Sequence, residues 1–319
     1  MSRALTRLLP ALLCGGALLL GGCGGDIVDG RGAPSGVGSG GSGSAGVAVP
    51  AEGARFADPA AVAALFSDVR AGVEALNTYD YRALDAARVR ALRYTTGKLT
   101  TDYERTFTTV IAKNAPALRA VQRATVLRLG VGVMTGDSAI LLGYGKLDIT
   151  TTSAPDGRTD PFAVGIRAER VGGSWRIAKS DIGGSGSVAV TGGADLQAAV
   201  AAARTAAAAV STLRRSSFDT DFARALSLTT APLRAKLEAQ KATTLAALRA
   251  GNFDLQARVT SLGVEAADGD RAGVLLVLAG YRVVNGARSG EPTTQNLRLI
   301  VDRVGGRWLV SELGPVGIN

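Results

Sequence analysis

Asp80, flanked by Tyr79 and Tyr81, is the one place in the chain dense enough in acid and aromatic hydroxyl groups to be considered for carboxylate chemistry. The architectural alternative is that the tyrosine rings pack a helix junction while Asp80 caps the next helix. Histidine is absent from all 319 residues. That excludes Ser-His-Asp and Cys-His catalysis, histidine-ligated zinc and the usual near-neutral proton shuttle. Asp148, Asp156 and Asp160 lack the spaced oxygen ligands and glycine of a calcium loop and read as a polar hairpin. Gly183-Gly184-Ser185-Gly186-Ser187 lacks the Lys-Ser/Thr of a phosphate-binding loop and opens no immediate helix, so it reads as a linker. Both cysteines, Cys14 and Cys23, fall in the first 23 residues, leaving the rest without thiolate or disulfide chemistry. No catalytic residue, metal ligand, cofactor or ligand-binding residue is assigned. What remains is a carboxylate- or tyrosine-based enzyme, or no enzyme.

Residues 1–23 read as targeting rather than structure. Arg3 and Arg7 precede an apolar run from Leu8 to Leu20, which is interrupted by Pro10 and Gly15-Gly16 and then followed by Gly21-Gly22-Cys23. The run is shorter than the ~20 apolar residues of a spanning helix. Small residues directly before a cysteine resemble a bacterial lipoprotein signal. The resemblance implies lipid attachment at Cys23, through diacylglycerol and palmitate, and a chain held on the outer face of the cytoplasmic membrane. An ordinary secretory signal with an incidental Cys23 is the alternative. Residues 24–57 are Gly/Ser-rich, too poor in large apolar side chains to offset their ordering entropy. They are expected to form a disordered tether reaching about 30–35 Å. The net charge of +9 falls to +7 once the two arginines leave with the signal. The excess is spread, with 17 Lys/Arg against 13 Asp/Glu in residues 58–182 and 15 against 11 in residues 195–319. Arg88, Arg90 and Arg93 form a solvated helix face, and no nucleic-acid motif accompanies them.

The chain repeats itself. Val171-Gly172-Gly173-Ser174-Trp175 returns as Val304-Gly305-Gly306-Arg307-Trp308, and Leu129-Gly130-Val131 returns as Leu262-Gly263-Val264, both at an offset of 133. Ala91-Leu92-Arg93-Tyr94-Thr95-Thr96 matches Ala225-Leu226-Ser227-Leu228-Thr229-Thr230 at an offset of 134. A period of that length is a whole domain rather than a solenoid unit. The expected organisation is a signal (1–23), a tether (24–57), domain one (58–182), a linker (183–194) and domain two (195–319).

Each copy reads helices first and strands second. Asp58 and Asp195 are expected as helix caps. Val62, Leu65, Phe66, Val69, Val73 and Leu76 form the first apolar stripe, and Leu196, Val200, Ala203, Ala207, Val210 and Leu213 its counterpart. Short helices follow over 81–94 and 218–228. A third helix carries Leu99, Tyr103, Phe107, Val110 and Ile111 in copy one and Leu233, Leu237, Leu245 and Leu248 in copy two; Pro116 and Gly251-Asn252 are expected to stop the two. Alternation of Leu127, Leu129, Val131 and Val133 predicts a half-buried strand. Each copy closes on a Gly-Gly hairpin followed by a tryptophan read as a core anchor. If Trp308 is fully buried, its replacement by alanine is expected to cost about 3–5 kcal/mol. Helices on one face of an antiparallel sheet give an α+β class.

This order, ending in a Gly-Gly-x-Trp hairpin, resembles the nuclear transport factor 2-like (cystatin-like) superfamily. The resemblance implies two tandem domains, each with N-terminal helices packed on a curved antiparallel sheet. Thr78-Tyr79-Asp80-Tyr81-Arg82-Ala83-Leu84-Asp85, Thr95-Thr96-Gly97 and Tyr103 look like proteins associated with the mammalian cell entry (Mce) lipid importers of actinobacteria, as does the closing segment from Asp302 to Leu313. Copy two departs from this, with Ser216-Ser217-Phe218-Asp219 read in place of the Tyr-Asp-Tyr segment. The resemblance implies a non-catalytic accessory or binding module of the cell envelope. Its partners would be the membrane, Mce-type transporter components or an apolar lipid, with no nucleic acid, and the two copies would pair as an internal pseudo-dimer. The alternatives are an enzyme of the polyketide cyclase-like type using a buried carboxylate, and a structural envelope spacer.

Overall fold

The computed structural model describes residues 59–182, 189–190 and 192–316. The signal, Cys23, the tether, Asp58 and residues 183–188 of the linker lie outside them. In the first half, α1 (Pro59–Leu76), β1 (Tyr79–Asp80), α2 (Leu84–Leu92), α3 (Gly97–Thr106), a π-helical turn (Phe107–Ile111) and α4 (Ala112–Leu118) precede β2 (Val121–Met134), β3 (Ser138–Thr151), β4 (Ala154–Val171) and β5 (Ser174–Ile182). In the second half, α5 (Ala194–Val210), a 3-10 turn (Arg215–Ser217), α6 (Phe218–Ser227) and α7 (Ala231–Gly251) precede β6 (Asp254–Asp268), β7 (Arg271–Val284), β8 (Ala287–Val304) and β9 (Arg307–Pro315). The fold is mixed, with helices and an antiparallel sheet.

The apolar stripes explain the long helices. All six side chains named on α1 are buried, as are Leu196, Val200, Ala203, Ala207 and Val210 on α5. Leu213 is buried too, but beyond the helix, where it exchanges two 2.9 Å backbone hydrogen bonds with Leu255. Asp195 does not cap α5: Gly193 does, its carbonyl accepting from the Gln197 N–H at 3.0 Å. The Asp195 carboxylate instead lies in the first turn, favourable to the helix dipole, 3.4 Å from Arg303. Ala194, expected in the linker, is the first residue of α5.

Pro116 does not stop its helix at once. It sits inside α4, where it removes one backbone hydrogen bond, and the helix ends two residues later with Arg119 left-handed at φ 47°. Asn252 ends α7 in the same way at φ 50°. Thr96 and Thr230 start the two third helices. The starts lie 134 residues apart and the ends 133 apart, so the first-half helix holds one extra residue between equivalent caps. The π turn absorbs it, the Ala112 N–H reaching back five residues to the Phe107 carbonyl.

All eight long strands belong to one sheet, ordered β5-β4-β3-β2-β6-β7-β8-β9, with β1 added beside β2. Gly172 and Gly173 both have positive φ (59° and 86°), as a two-residue hairpin between right-twisted strands requires. The expected alternation along β2 breaks at two register shifts, around Leu127 and Gly132. Val126, Leu129, Val131 and Met134 therefore enter the core, while Leu127 and Val133 stay half-exposed. The first shift is held from α1: Glu74 accepts from the Val126 N–H at 2.9 Å and Arg70 donates to its carbonyl.

The halves join where β2 crosses β6, pairing Val131 with Val264. Gly130 and Gly263 meet backbone to backbone there: a Cβ on Gly130 would stand 2.7 Å from the Gly263 carbonyl carbon, and one on Gly263 2.5 Å from the Gly130 oxygen. Residues one repeat apart thus touch each other. Apolar side chains divide into a cluster under α1 and a cluster under α5–α7. A small third cluster places Leu142, Tyr144 and Ala163 against Leu275 and Val277 from the other half. Each outer strand is engaged at mid-length by the turn that follows its half's second helix. The Ile177 N–H donates to Tyr94 (2.7 Å) and its carbonyl accepts from Thr96 (3.0 Å); the Val310 N–H and carbonyl do the same with Leu228 and Thr230 (2.9 Å each).

Candidate functional site

Asp80 is built into a turn rather than a helix cap. Its carboxylate accepts from the Arg82 N–H (2.9 Å), Nε (2.9 Å) and Nη2 (2.7 Å), and α2 begins after Ala83 without a side-chain cap. The hydrogen bond from the Arg82 side chain holds the Asp80 carboxyl below the usual range. Tyr81 lies under the same guanidinium at 5.4 Å. Tyr79 turns inward, where burial raises its pKa, and burial pushes Tyr103 up to about 12. Ionised Asp80 and protonated Tyr79 and Tyr103 can accept and donate hydrogen bonds; none of these three is poised as a proton-transfer group near neutral pH. In the second half the position of this segment is taken by Leu213-Arg214-Arg215, because the Leu213–Leu255 pair stands where Tyr79–Gln122 does in the first. This corrects the expected counterpart, Ser216-Ser217-Phe218-Asp219, which begins three residues further along the chain.

Asp148 on β3 and Asp160 on β4 each pair locally. Asp148 accepts from Thr159 Oγ1 at 2.6 Å and lies 3.4 Å from Lys146, while Asp160 lies 3.2 Å from Arg158. Among the described residues no three His, Cys, Asp or Glu side chains gather as a metal site, and none of the helices there is long and apolar enough to cross a membrane. Trp175 is a buried anchor whose backbone N–H donates to Asp68 at 2.8 Å. Trp308 packs against the second-half core but is only partly buried, with the Arg303 guanidinium 5.9 Å from its ring, so the full burial on which the figure of about 3–5 kcal/mol depends is not met.

The buried acids lie elsewhere. Asp221 on α6 accepts from the Arg214 backbone N–H (3.0 Å), Nε (2.9 Å) and Nη2 (2.6 Å) and from Ser217 (3.0 Å). The Arg214 hydrogen bond brings its pKa down to about 2. A folded pKa below the unfolded value of 3.8 means stability that is present above pH ~4 and lost as pH falls towards 2. Asp221→Asn is therefore expected to lower stability at pH 7 by about 2 kcal/mol, with the gap to the parent closing near pH 2 in urea titrations.

Glu265 on β6 has a side chain only 10% exposed and is held from both halves. Arg298 on β8 donates to its Oε2 at 2.6 Å, and Arg128 on β2 donates to its Oε1. Tyr144, in the same junction, is buried with its hydroxyl unpartnered, and burial raises its pKa. One repeat away from Arg128, Glu265 and Arg298 stand Ser261, Gly132 and Gly165, so this cluster exists in one copy. Sequence reasoning missed it; the available signal was a lone acid, Glu265, between the apolar pairs Gly263-Val264 and Ala266-Ala267.

The inner stripes of the third helices also differ. Leu99, Tyr103, Phe107, Ile111 and Ala115 run along the first, with Phe107 and Ala115 buried and the Tyr103 and Phe107 rings 5.7 Å apart. On α7 the corresponding places hold Leu233, Leu237, Gln240, Thr244 and Leu248. Gln240 Oε1 and Thr244 Oγ1 are buried without a hydrogen-bond partner.

No family model and no curated protein matches the chain. Among solved structures it is similar to CagV, a VirB8 homologue of the T4SS from Helicobacter pylori strain 26695, at 14% identity over 38% of this chain and 96% of that one, TM-score 0.32. It is likewise similar to VirB8 from Agrobacterium tumefaciens, at 12% identity over 39% of this chain and 92% of that one, TM-score 0.30. An NTF2-like protein involved in plasmid conjugation is similar at 10% identity over 80% of this chain and 98% of that one, TM-score 0.27.

Proposed function

We propose that the chain is a non-catalytic, lipid-anchored module of the cell envelope, made of two fused nuclear transport factor 2-like units that pair as an internal pseudo-dimer. The observation that carries the pairing is the self-equivalent contact of Gly130 with Gly263 and of Val131 with Val264, because a residue meeting its own counterpart marks a two-fold-like axis. Covalent linkage favours it, since a short tether sets an effective concentration near millimolar. The non-catalytic reading is supported by the two buried acids just described. Both are clamped by arginine, and Asp221 is held below the usual carboxylate range, the opposite of the raised pKa that a general acid in an apolar cone would need.

The anchor rests on Gly21-Gly22-Cys23, and the partner class, Mce-type lipid transporter components, rests on the Tyr79-Asp80-Tyr81 and Asp302–Leu313 segments. Cys23→Ala is expected to move the protein from the membrane to the soluble exported fraction. Unchanged membrane retention would refute the anchor. Affinity capture from membranes in mild detergent should recover transporter components or lipid, and recovery of neither would refute the accessory role.

A further inference from the structure

We propose that the second half alone binds an apolar molecule carrying a hydroxyl group, whose head pairs with Gln240 and Thr244 on the inner stripe of α7. Thr244 is 4% exposed, and its Oγ1 is buried one turn from the buried Gln240 Oε1, with neither atom hydrogen-bonded. Thr244 shares the buried stripe of a continuous 21-residue helix with Leu237 and Leu248, and the half-buried Gln240 stands one turn before it. A buried polar atom left unpaired is costly, and two on adjacent turns call for one shared partner. A hydroxyl fits: it donates and accepts at once, so it satisfies the threonine together with the glutamine amide whichever way that amide is turned.

In the first half the same places carry apolar side chains. Phe107 and Ile111 stand there, and the π turn brings a buried ring beside Tyr103. The second half is also built from smaller side chains on its other long helix. Ala199, Ala203 and Ala207 of α5 replace Leu65, Val69 and Val73 of α1, and all six are buried. Apolar side chains such as Leu237 and Leu248 beside a few placed polar atoms are how small-molecule sites obtain both affinity and orientation.

This inference rests on the reading of the chain as a non-catalytic binding module and adds where its ligand sits. The full-length protein is titrated with 1-dodecanol and, separately, with dodecane, followed by native mass spectrometry. One dodecanol per chain is expected, bound at least ~10-fold more tightly than dodecane and recovered chemically unchanged. The near-isosteric pair Gln240→Leu and Thr244→Val should erase that preference while raising the melting midpoint of the unliganded protein, because the unpaired polar atoms are gone. Ile111→Thr in the first half should leave dodecanol binding as it was. Equal affinity for the two probes, no dodecanol binding, or a preference that survives the double variant overturns the proposal, including the case in which a buried water is the only occupant. Dodecanol bound at the site but chemically converted would leave the site standing and defeat the non-catalytic reading instead.

Discussion

Gly130→Ala is expected to destabilise the protein by about 3 kcal/mol, at the upper end of overpacking costs. The reason is geometric: the new methyl would meet the Gly263 carbonyl carbon at 2.7 Å, and backbone, unlike a flexible side chain, has nowhere to move. Gly263→Ala faces the mirrored clash, 2.5 Å from the Gly130 oxygen. Either change must open the β2–β6 crossing. The double variant is therefore expected to cost clearly less than the two singles added, since the second methyl occupies a gap the first has made. Urea unfolding followed by circular dichroism reads the loss. Gly136→Ala, with nothing within 4 Å of the added carbon, should stay within about 0.5 kcal/mol of the parent. A Gly130→Ala variant as stable as Gly136→Ala would mean that the two strands do not cross there.

Trp175→Ala is expected to cost about 3–5 kcal/mol, the range for deleting a buried indole, because the side chain sits in the first-half cluster beneath α1. Trp308→Ala should cost clearly less, since its ring is partly solvated and shielded on one side by Arg303. The chain has two tryptophans, so each variant leaves a single emitter. The protein retaining only Trp175 should fluoresce at shorter wavelength than the one retaining only Trp308. Equal stability losses, or the opposite order of emission, would show that the two hairpins do not differ in burial as described.

Elements fixed by local periodicity were legible in the sequence. The six-residue stripe of α1 and the Gly-Gly hairpins follow from spacing alone, because 3.6-residue recurrence and paired glycines have few alternative structures. Features that depend on a distant partner were not. The phase of β2 is set by bulges whose backbone groups are held by Arg70 and Glu74 from another element. Asp195 looked like a cap until Gly193, already extended, took that place. Trp308 occupies the same hairpin position as Trp175, yet its burial is decided by what covers it. The polar cluster at the junction was illegible for the same reason: Arg128, Glu265 and Arg298 lie up to 170 residues apart, and only the crossing of the halves brings them together. The shift in repeat offset from 134 to 133, by contrast, was visible in the sequence. Its cause, one residue taken up by a π turn, needed the helix ends.

The way the turns at Thr95-Thr96 and Thr229-Thr230 fasten onto the outermost strands bears on behaviour at high concentration. An open sheet normally presents an unpaired rim on which another chain can stack, the first step towards fibrils. In β5 and β9 the middle of that rim is already occupied through Ile177 and Val310. An incoming strand would find only short, divided stretches to grip. Occupying the rim in this way works against stacking of one copy on the next.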